Sequence, residues 1–273
     1  MSKYLQNFKW PPLLSVELLA PMLVGLLTLA GWELAVQVNH IPPYLLPGPL
    51  LIFKTLIQDW PILFPALLTT LKITVLALLA ATSSGLAIAI LMAQSKWVEK
   101  SLYPYAIVLQ TVPLSAIAPL IIIWLRNSPL LALVICAWIA ALFPIISNTT
   151  FGLKSIDPSL RDLFRLYQAS RWQTMRYLRL PSALPYFLAG LRISGGLALI
   201  GAVVAEFVAG SGGANSGIAY QILIAGYNLE IPRMFAALLL VTVLGIIVFI
   251  GLATLSTTLL RGWHESSSPQ NDR

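Results

Sequence analysis

The amino-acid sequence predicts an all-α integral membrane protein with six transmembrane helices, and three observations carry that prediction. Hydrophobic residues make up 58% of the 273 and charged residues only 10%, against about 25% charged in an ordinary soluble domain. The mean hydropathy is +0.83. The apolar residues come in continuous runs rather than alternating ones, which argues against the strands of a membrane barrel. Such a composition excludes a soluble globular enzyme, a disordered chain and a coiled coil. The lone cysteine, Cys136, excludes a disulfide framework and a thiolate zinc site, and two histidines, His40 and His264, nearly exclude a histidine-rich metal centre. The net charge of +7 reads as loop charge on a membrane protein, not as a nucleic-acid footprint.

A hydrocarbon core takes about 20 mostly apolar residues per helix. Four stretches without a charge meet that length: residues 73–95, 101–125, 127–153 and 234–260. Another span lies between Glu17 and Glu33, whose separation of about 24 Å along a helix places each carboxylate near one interface. The sixth, residues 182–208, carries Arg192 and Glu206. Residues 206–232 hold a further uncharged run, but Gly210, Gly212, Gly213, Asn215 and Gly217 argue against a span there. The N-terminal apolar segment is too long for a cleaved signal and reads as a retained first span. The chain divides into a cytoplasmic segment 1–12, a transmembrane domain 13–260 and a cytoplasmic tail 261–273.

Orientation follows from Lys and Arg. With both termini inside, the cytoplasmic segments hold Lys3, Lys9, Lys96, Lys100, Lys154, Arg161, Arg165, Arg171, Arg176, Arg179, Arg261 and Arg273. The external ones hold Lys54, Arg126 and Arg233. The first external segment has prolines at 42, 43, 47 and 49, which forbid a helix before Pro49. Pro49 suits a first helical turn, and Leu50, Leu51, Phe53, Leu56 and Ile57 follow at helical spacing with Trp60 beyond. A short interfacial helix and a plain connector both fit.

The segment 154–179 differs from every other loop. Its basic residues are Lys154, Arg161, Arg165, Arg171, Arg176 and Arg179, against the acidic Asp157 and Asp162. Asp157 before Pro158 is an N-cap followed by proline at the first helical position. Leu160, Leu163, Phe164 and Tyr167 form an apolar stripe, with Arg161 and Arg165 on the other side. Ser170 and Gln173 have the spacing of a capping box, and the second helix is expected to end near Pro181. An exposed amphipathic helical hairpin results. It can enforce topology, meet anionic lipid, or dock into a groove on another protein.

Around this loop the sequence resembles the permeases of binding-protein-dependent ABC importers, whose signature is EAA-x3-G-x9-I-x-L-P. Asp162-Leu163-Phe164 stand for EAA, Gln168 for the glycine, Leu178 for the isoleucine, and Leu180-Pro181 for the final pair. The flanking text is similar to the sulfonate, taurine, nitrate/bicarbonate and pyrimidine-precursor branch. Ala169-Ser170-Arg171-Trp172-Gln173, Leu180-Pro181-Ser182-Ala183-Leu184-Pro185, Leu188-Ala189-Gly190-Leu191-Arg192 and Ala205-Glu206-Phe207-Val208 carry that likeness. So do Thr111-Val112-Pro113, Ala118-Pro119-Leu120, Phe143-Pro144-Ile145 and Asn148-Thr149.

The resemblance implies a type I ABC importer permease fold with a cytoplasmic coupling-helix hairpin in a bacterial inner membrane. It implies an ATP-binding subunit, an extracytoplasmic substrate-binding protein and a second permease copy, with a homodimer expected. ATP and magnesium would sit on the partner ATPase, and this chain would bind no cofactor and catalyse no reaction. Membrane lipid is expected as a partner and nucleic acid is not. The solute would be a sulfonate, taurine, nitrate or bicarbonate, or a pyrimidine-like vitamin precursor. Leu160, Leu163, Phe164 and Tyr167 would supply the docking face, and Arg161, Arg165 and Arg171 can pair with carboxylates at its rim. Asp162, Gln168, Ala169 and Ser170 complete the coupling set. Glycine at 168 would permit a left-handed turn; a non-glycine residue there costs about 1 kcal/mol. Either Gln168 bears that cost or the first helix runs on.

For the pathway, Gly190, Ser194, Ala198 and Gly201, with Ala202 and Ala205, form a small-residue stripe. It suits either close helix packing or the walls of a translocation path. Glu206 can cap the glycine-rich loop, line an outer gate or sit in water, and the structural role is favoured. Arg192 can snorkel toward the cytoplasm. Pro113 and Pro119 are expected to interrupt span three, and Pro144 span four. Thr111, Ser115, Asn148 and Thr149 are polar candidates for the interior. The rivals are an ion-coupled secondary transporter, which needs paired intramembrane carboxylates, and a membrane enzyme, which needs a catalytic cluster that the sequence lacks.

Overall fold

The structure is a computed structural model that describes residues 16–210 and 216–260. The segment 1–12, the Glu17 side chain, Gly212, Gly213, Asn215 and the tail 261–273 lie outside the described residues. Every element is helical: α1 (Val16–Val38), α2 (Pro49–Gln58), α3 (Trp60–Gln94), α4 (Lys96–Thr111), α5 (Leu114–Trp124), α6 (Pro129–Lys154), α7 (Pro158–Leu166), α8 (Arg171–Thr174), α9 (Leu180–Ala209), α10 (Ile218–Tyr227) and α11 (Ile231–Leu260). Among the described residues, five helices are long and apolar enough to cross a membrane. The pair α4 and α5, bent by 97°, brings the number to six when it is counted as one span. The bend falls at Val112-Pro113, where both residues are extended.

Pro119 and Pro144 do not break their helices, against expectation. In α6 neighbouring side chains bond the local carbonyls: Asn148 Nδ2 donates to Pro144 O (2.8 Å) and Ser194 Oγ to Ala141 O (2.6 Å). Span two is also longer than the charge-free run: α3 starts at Trp60 and passes through Pro65 and Lys72.

The centre of the molecule is α3, α6 and α9. Many of its buried residues are small, with Ala77, Ala81, Ala137, Ala141, Ala198 and Ala202 all 0% exposed, and Ile73, Ile145 and Leu188 fill the space between them. Without a hydrophobic driving force between helices in lipid, close approach and dispersion hold such a bundle, and small side chains allow it. Many other large apolar residues point outward, as Leu79, Ile200, Ile247 and Phe249 do. Cys136 is buried beside Ala118, Ile121, Ala132 and Ala205, a packing role. Trp138 Nε1 donates to Ser84 Oγ at 2.9 Å and ties α6 to α3.

Two short apolar helices do not span. The helix α2 is more than an interfacial helix, because Ile52 is buried with Ala236, Ala237 and Leu240 of α11, while Leu50, Phe53 and Ile57 stay exposed. Trp60 belongs to α3, where it stacks on Phe64. The helix α10 follows the glycine-rich segment and packs on α11, α3 and α9.

Candidate functional site: the helical hairpin and the polar groups of the bundle

The hairpin between α6 and α9 is built by local chemistry. Asp157 Oδ1 accepts from Ser159 N at 2.8 Å and also from the Ser159 hydroxyl, and these bonds hold its carboxyl below the usual carboxylate range. At the second start Ser170 Oγ accepts from Gln173 N (3.2 Å), and Gln173 Oε1 accepts from Ser170 N (2.8 Å). Both predicted caps are thus present.

Between them the chain reverses at Gln168, with φ +50°. Ala169 N donates to Phe164 O (3.0 Å) and Gln168 N to Arg165 O (2.9 Å), the paired bonds of a Schellman turn. Gln168 therefore bears the left-handed cost, and α7 does not run on. Once both bonds are made they outweigh a penalty of about 1 kcal/mol.

The second helix does not end near Pro181. After Arg171–Thr174 the chain makes one π turn, Met175–Arg179, and passes directly into α9. Pro181 lacks an N–H and would clash with the carbonyl one turn back in a tight helix. A wider π turn just ahead of it accommodates the ring. Arg179 Nη1 donates to Ala93 O at 3.0 Å, so the π turn is also tied to the end of α3.

The apolar stripe is arranged as a cleft. Leu163, Phe164, Tyr167 and Ala169 of the first arm face Gln173 and Tyr177 of the second across about 300 Å³. Leu160 and Leu163 are nearly half exposed and Tyr167 is exposed. Arg165 lies 3.7 Å from Asp162. Arg161 and Arg171 are exposed. Sequence reasoning missed Leu166, Trp172 and Tyr177, which are also exposed. Their signal was the hairpin itself, although Met175 and Leu178 of the same arm are buried against the bundle.

The small-residue stripe of α9 faces α6 of the same chain. A Cβ at Gly190 would stand 2.7 Å from Pro144 O, and one at Gly201 2.9 Å from Ala137 Cα. Ser194 and Ala198 are fully buried there. These residues form a close helix contact within the chain. Pro113 sits at the span-three bend and Pro119 on the exposed side of α5, apart from the stripe. Thr111 and Asn148 bond carbonyls of their own helices, while Thr149 Oγ1 is buried without a partner.

Glu206 is 3% exposed. Its carboxylate accepts from Thr70 Oγ1 (2.7 Å) and from Ala219 N (3.0 Å), and Thr70 Oγ1 accepts from Ile218 N (2.9 Å). Two orphan donors of the α10 N-terminus are satisfied this way. Gly217 precedes α10, and any side chain there would run into the Glu206 carboxylate. Gly210, at φ +54°, closes α9 in the left-handed turn that glycine favours. No group of metal-ligating side chains occurs among the described residues.

The fold and the hairpin define a multi-pass helical membrane protein with one folded polar hairpin. The sequence matches the family described as binding-protein-dependent transport system inner membrane component over residues 85–260. It is 33% identical to the formylaminopyrimidine transport permease of Halalkalibacterium halodurans, over 90% of this chain and 96% of that one. It is 33% identical to the riboflavin transport system permease of Chloroflexus aurantiacus, over 96% and 94%. The taurine transport system permease of Escherichia coli is 28% identical over 94% of each chain. A solved amino acid ABC transporter chain has the same fold, with a TM-score of 0.61 at 22% identity over 77% of this chain and 98% of that one. The chain belongs to the binding-protein-dependent transport system inner membrane component family, the permease subunits of ABC importers.

Proposed function

We propose that this permease forms one half of a dimeric translocation path, with both termini cytoplasmic and its apolar outer faces in lipid. ATP and magnesium act on a separate ATPase that grips the α7–α8 hairpin. An external binding protein delivers the solute. The relatives carry formylaminopyrimidine, riboflavin and taurine by name. The proposed solute is accordingly a small polar organic compound or oxyanion: a pyrimidine-like precursor, a sulfonate, or nitrate or bicarbonate.

One observation carries this reading. The hairpin is capped at both starts, and its second arm continues through the π turn into α9. A displacement of the second arm, α8, is therefore delivered to the helix at the centre of the bundle without an intervening loop, and α7 is coupled to it through the turn at Gln168. Nucleotide-driven closure of the ATPases would shift the equilibrium between inward-facing and outward-facing bundles through differential contacts with this lever. An ion-coupled transporter would instead need a free intramembrane carboxylate, and Glu206 is held by Thr70 and the α10 N-terminus. The test is Leu163→Asp with Phe164→Asp. Loss of ATPase co-purification and at least tenfold slower uptake are expected. Wild-type association and uptake would overturn the docking role.

A further inference from the structure

Arg192 is a charge inside a span that the fold does not use. It lies about 18 Å along α9 from Leu180. Its guanidinium carbon stands 5.9 Å from the Phe249 ring of α11. Phe249 is about 16 Å from Leu260, the corresponding end of α11, so the guanidinium stays level with its own backbone. It does not snorkel. Its Nε is buried without an acceptor, and no carboxylate pairs with it among the described residues. A guanidinium is a planar cation with five N–H donors to satisfy. An ionisable group at this depth ordinarily faces protein partners or water. Apart from the Phe249 ring, the first is missing among the described residues.

The surface beside it is the one side of α9 that the bundle leaves uncovered. Ala189, Ile193, Gly196 and Ile200 are exposed at spacings of four, three and four. Around Gly196 a Cβ would meet nothing within 4 Å. The opposite side, with Gly190, Ser194 and Gly201, is closed against α6. Glu206, the one acidic side chain of α9, is engaged at the start of α10. The uncovered side of this helix therefore has a cation at its edge and no competing carboxylate.

We propose that Arg192 is an anion-binding residue of the translocation path, meeting a carboxylate, sulfonate, nitrate or phosphate group of the solute as it passes the uncovered side of α9. Planar guanidinium donors suit oxyanions in two-point contact. The proposal rests on the reading that this side of α9 faces a water-filled path, and it narrows the solute to an anion or a compound with an anionic group.

The test uses the assembled importer in vesicles and needs no knowledge of the solute. In a Cys136→Ala background, Gly196→Cys supplies a thiol next to Arg192. Its reaction rates with sulfonatoethyl (anionic) and trimethylammonioethyl (cationic) methanethiosulfonate are compared. Both reagents are expected to react. Arg192→Gln is expected to lower the anion-to-cation rate ratio about tenfold, and Arg192→Lys to retain most of it. A thiol inert to both reagents in every nucleotide state would overturn the proposal, as would a ratio that Arg192→Gln leaves unchanged. Native mass of the complex is read in parallel. A single permease copy with the ratio intact would remove the dimeric path and leave the anion site standing.

Discussion

The two short helices α2 and α10 start the same way and end up in different surroundings. Each is ten residues long, is preceded by a glycine, and lacks a cap from that residue. Each borrows a carboxylate from the spanning helix before it. Glu33 of α1 accepts from Leu50 N at 3.1 Å, and Glu206 of α9 accepts from Ala219 N at 3.0 Å. At α2 the carboxylate is near the surface and its other oxygen meets Gln37. At α10 it is buried, and Thr70 of α3 joins the cap. The lesson is that one hydrogen-bonding device has two values. In water a lost cap is replaced by solvent; inside the bundle nothing replaces it.

The largest expected effect is Glu206→Ala. It orphans the buried Ala219 N–H and removes the acceptor of the Thr70 hydroxyl, a loss of about 3 kcal/mol, read as a lowered melting temperature in detergent. A loss no larger than that of Glu33→Ala would break the comparison. Next come the preceding glycines. Gly217→Ala places a methyl against a buried carboxylate and is expected to destabilise by about 2–3 kcal/mol. Gly48→Ala meets Glu33 Oε2 at 2.6 Å, but that is the free end of a half-exposed side chain and can swing away. Its cost should be about 1 kcal/mol or less, and equal losses at the two sites would contradict the difference in surroundings.

The helix ends sharpen the same contrast. The α2 C-terminus runs straight into Asp59, which receives Arg233 Nε at 2.7 Å. The α10 C-terminus closes at Leu229, with φ +58° and the same paired turn bonds found at Gln168. Leu229→Gly should stabilise the protein by about 1 kcal/mol by removing left-handed strain. A loss would mean that the exposed leucine makes a contact worth more than the strain. Smallest of all, Glu33→Ala should cost under about 1 kcal/mol, measured by the same melting curves.

Legibility in the sequence follows the range of the interaction. Asp157 with Ser159 and Ser170 with Gln173 bond across two and three residues, so the hairpin could be read from spacing. The left-handed turn could be anticipated as a cost at Gln168, but only the backbone shows which alternative the chain took. The small-residue stripe of α9 was visible as a face. What it faces was not, because Gly190 and Gly201 give no sign that their neighbour is α6 of the same chain. Thr70 carried no signal at all, since its partner Glu206 is 136 positions away. Pro181 suggested a stop, and the π turn that lets the helix continue past its ring is tied by Arg179 to Ala93 O, 86 positions away.

The sequence by itself determined that this chain lives in a membrane, how many times its apolar runs can cross it, and that one basic segment folds into a capped hairpin. Those are consequences of hydrophobicity, charge placement and bonds between near neighbours. Tertiary structure alone decided that Glu206 is committed to α10, that the hairpin is continuous with α9, and that Arg192 is left without a partner. The reason is that inside a bundle the value of a polar group depends on what surrounds it, and those surroundings come from residues far away along the chain.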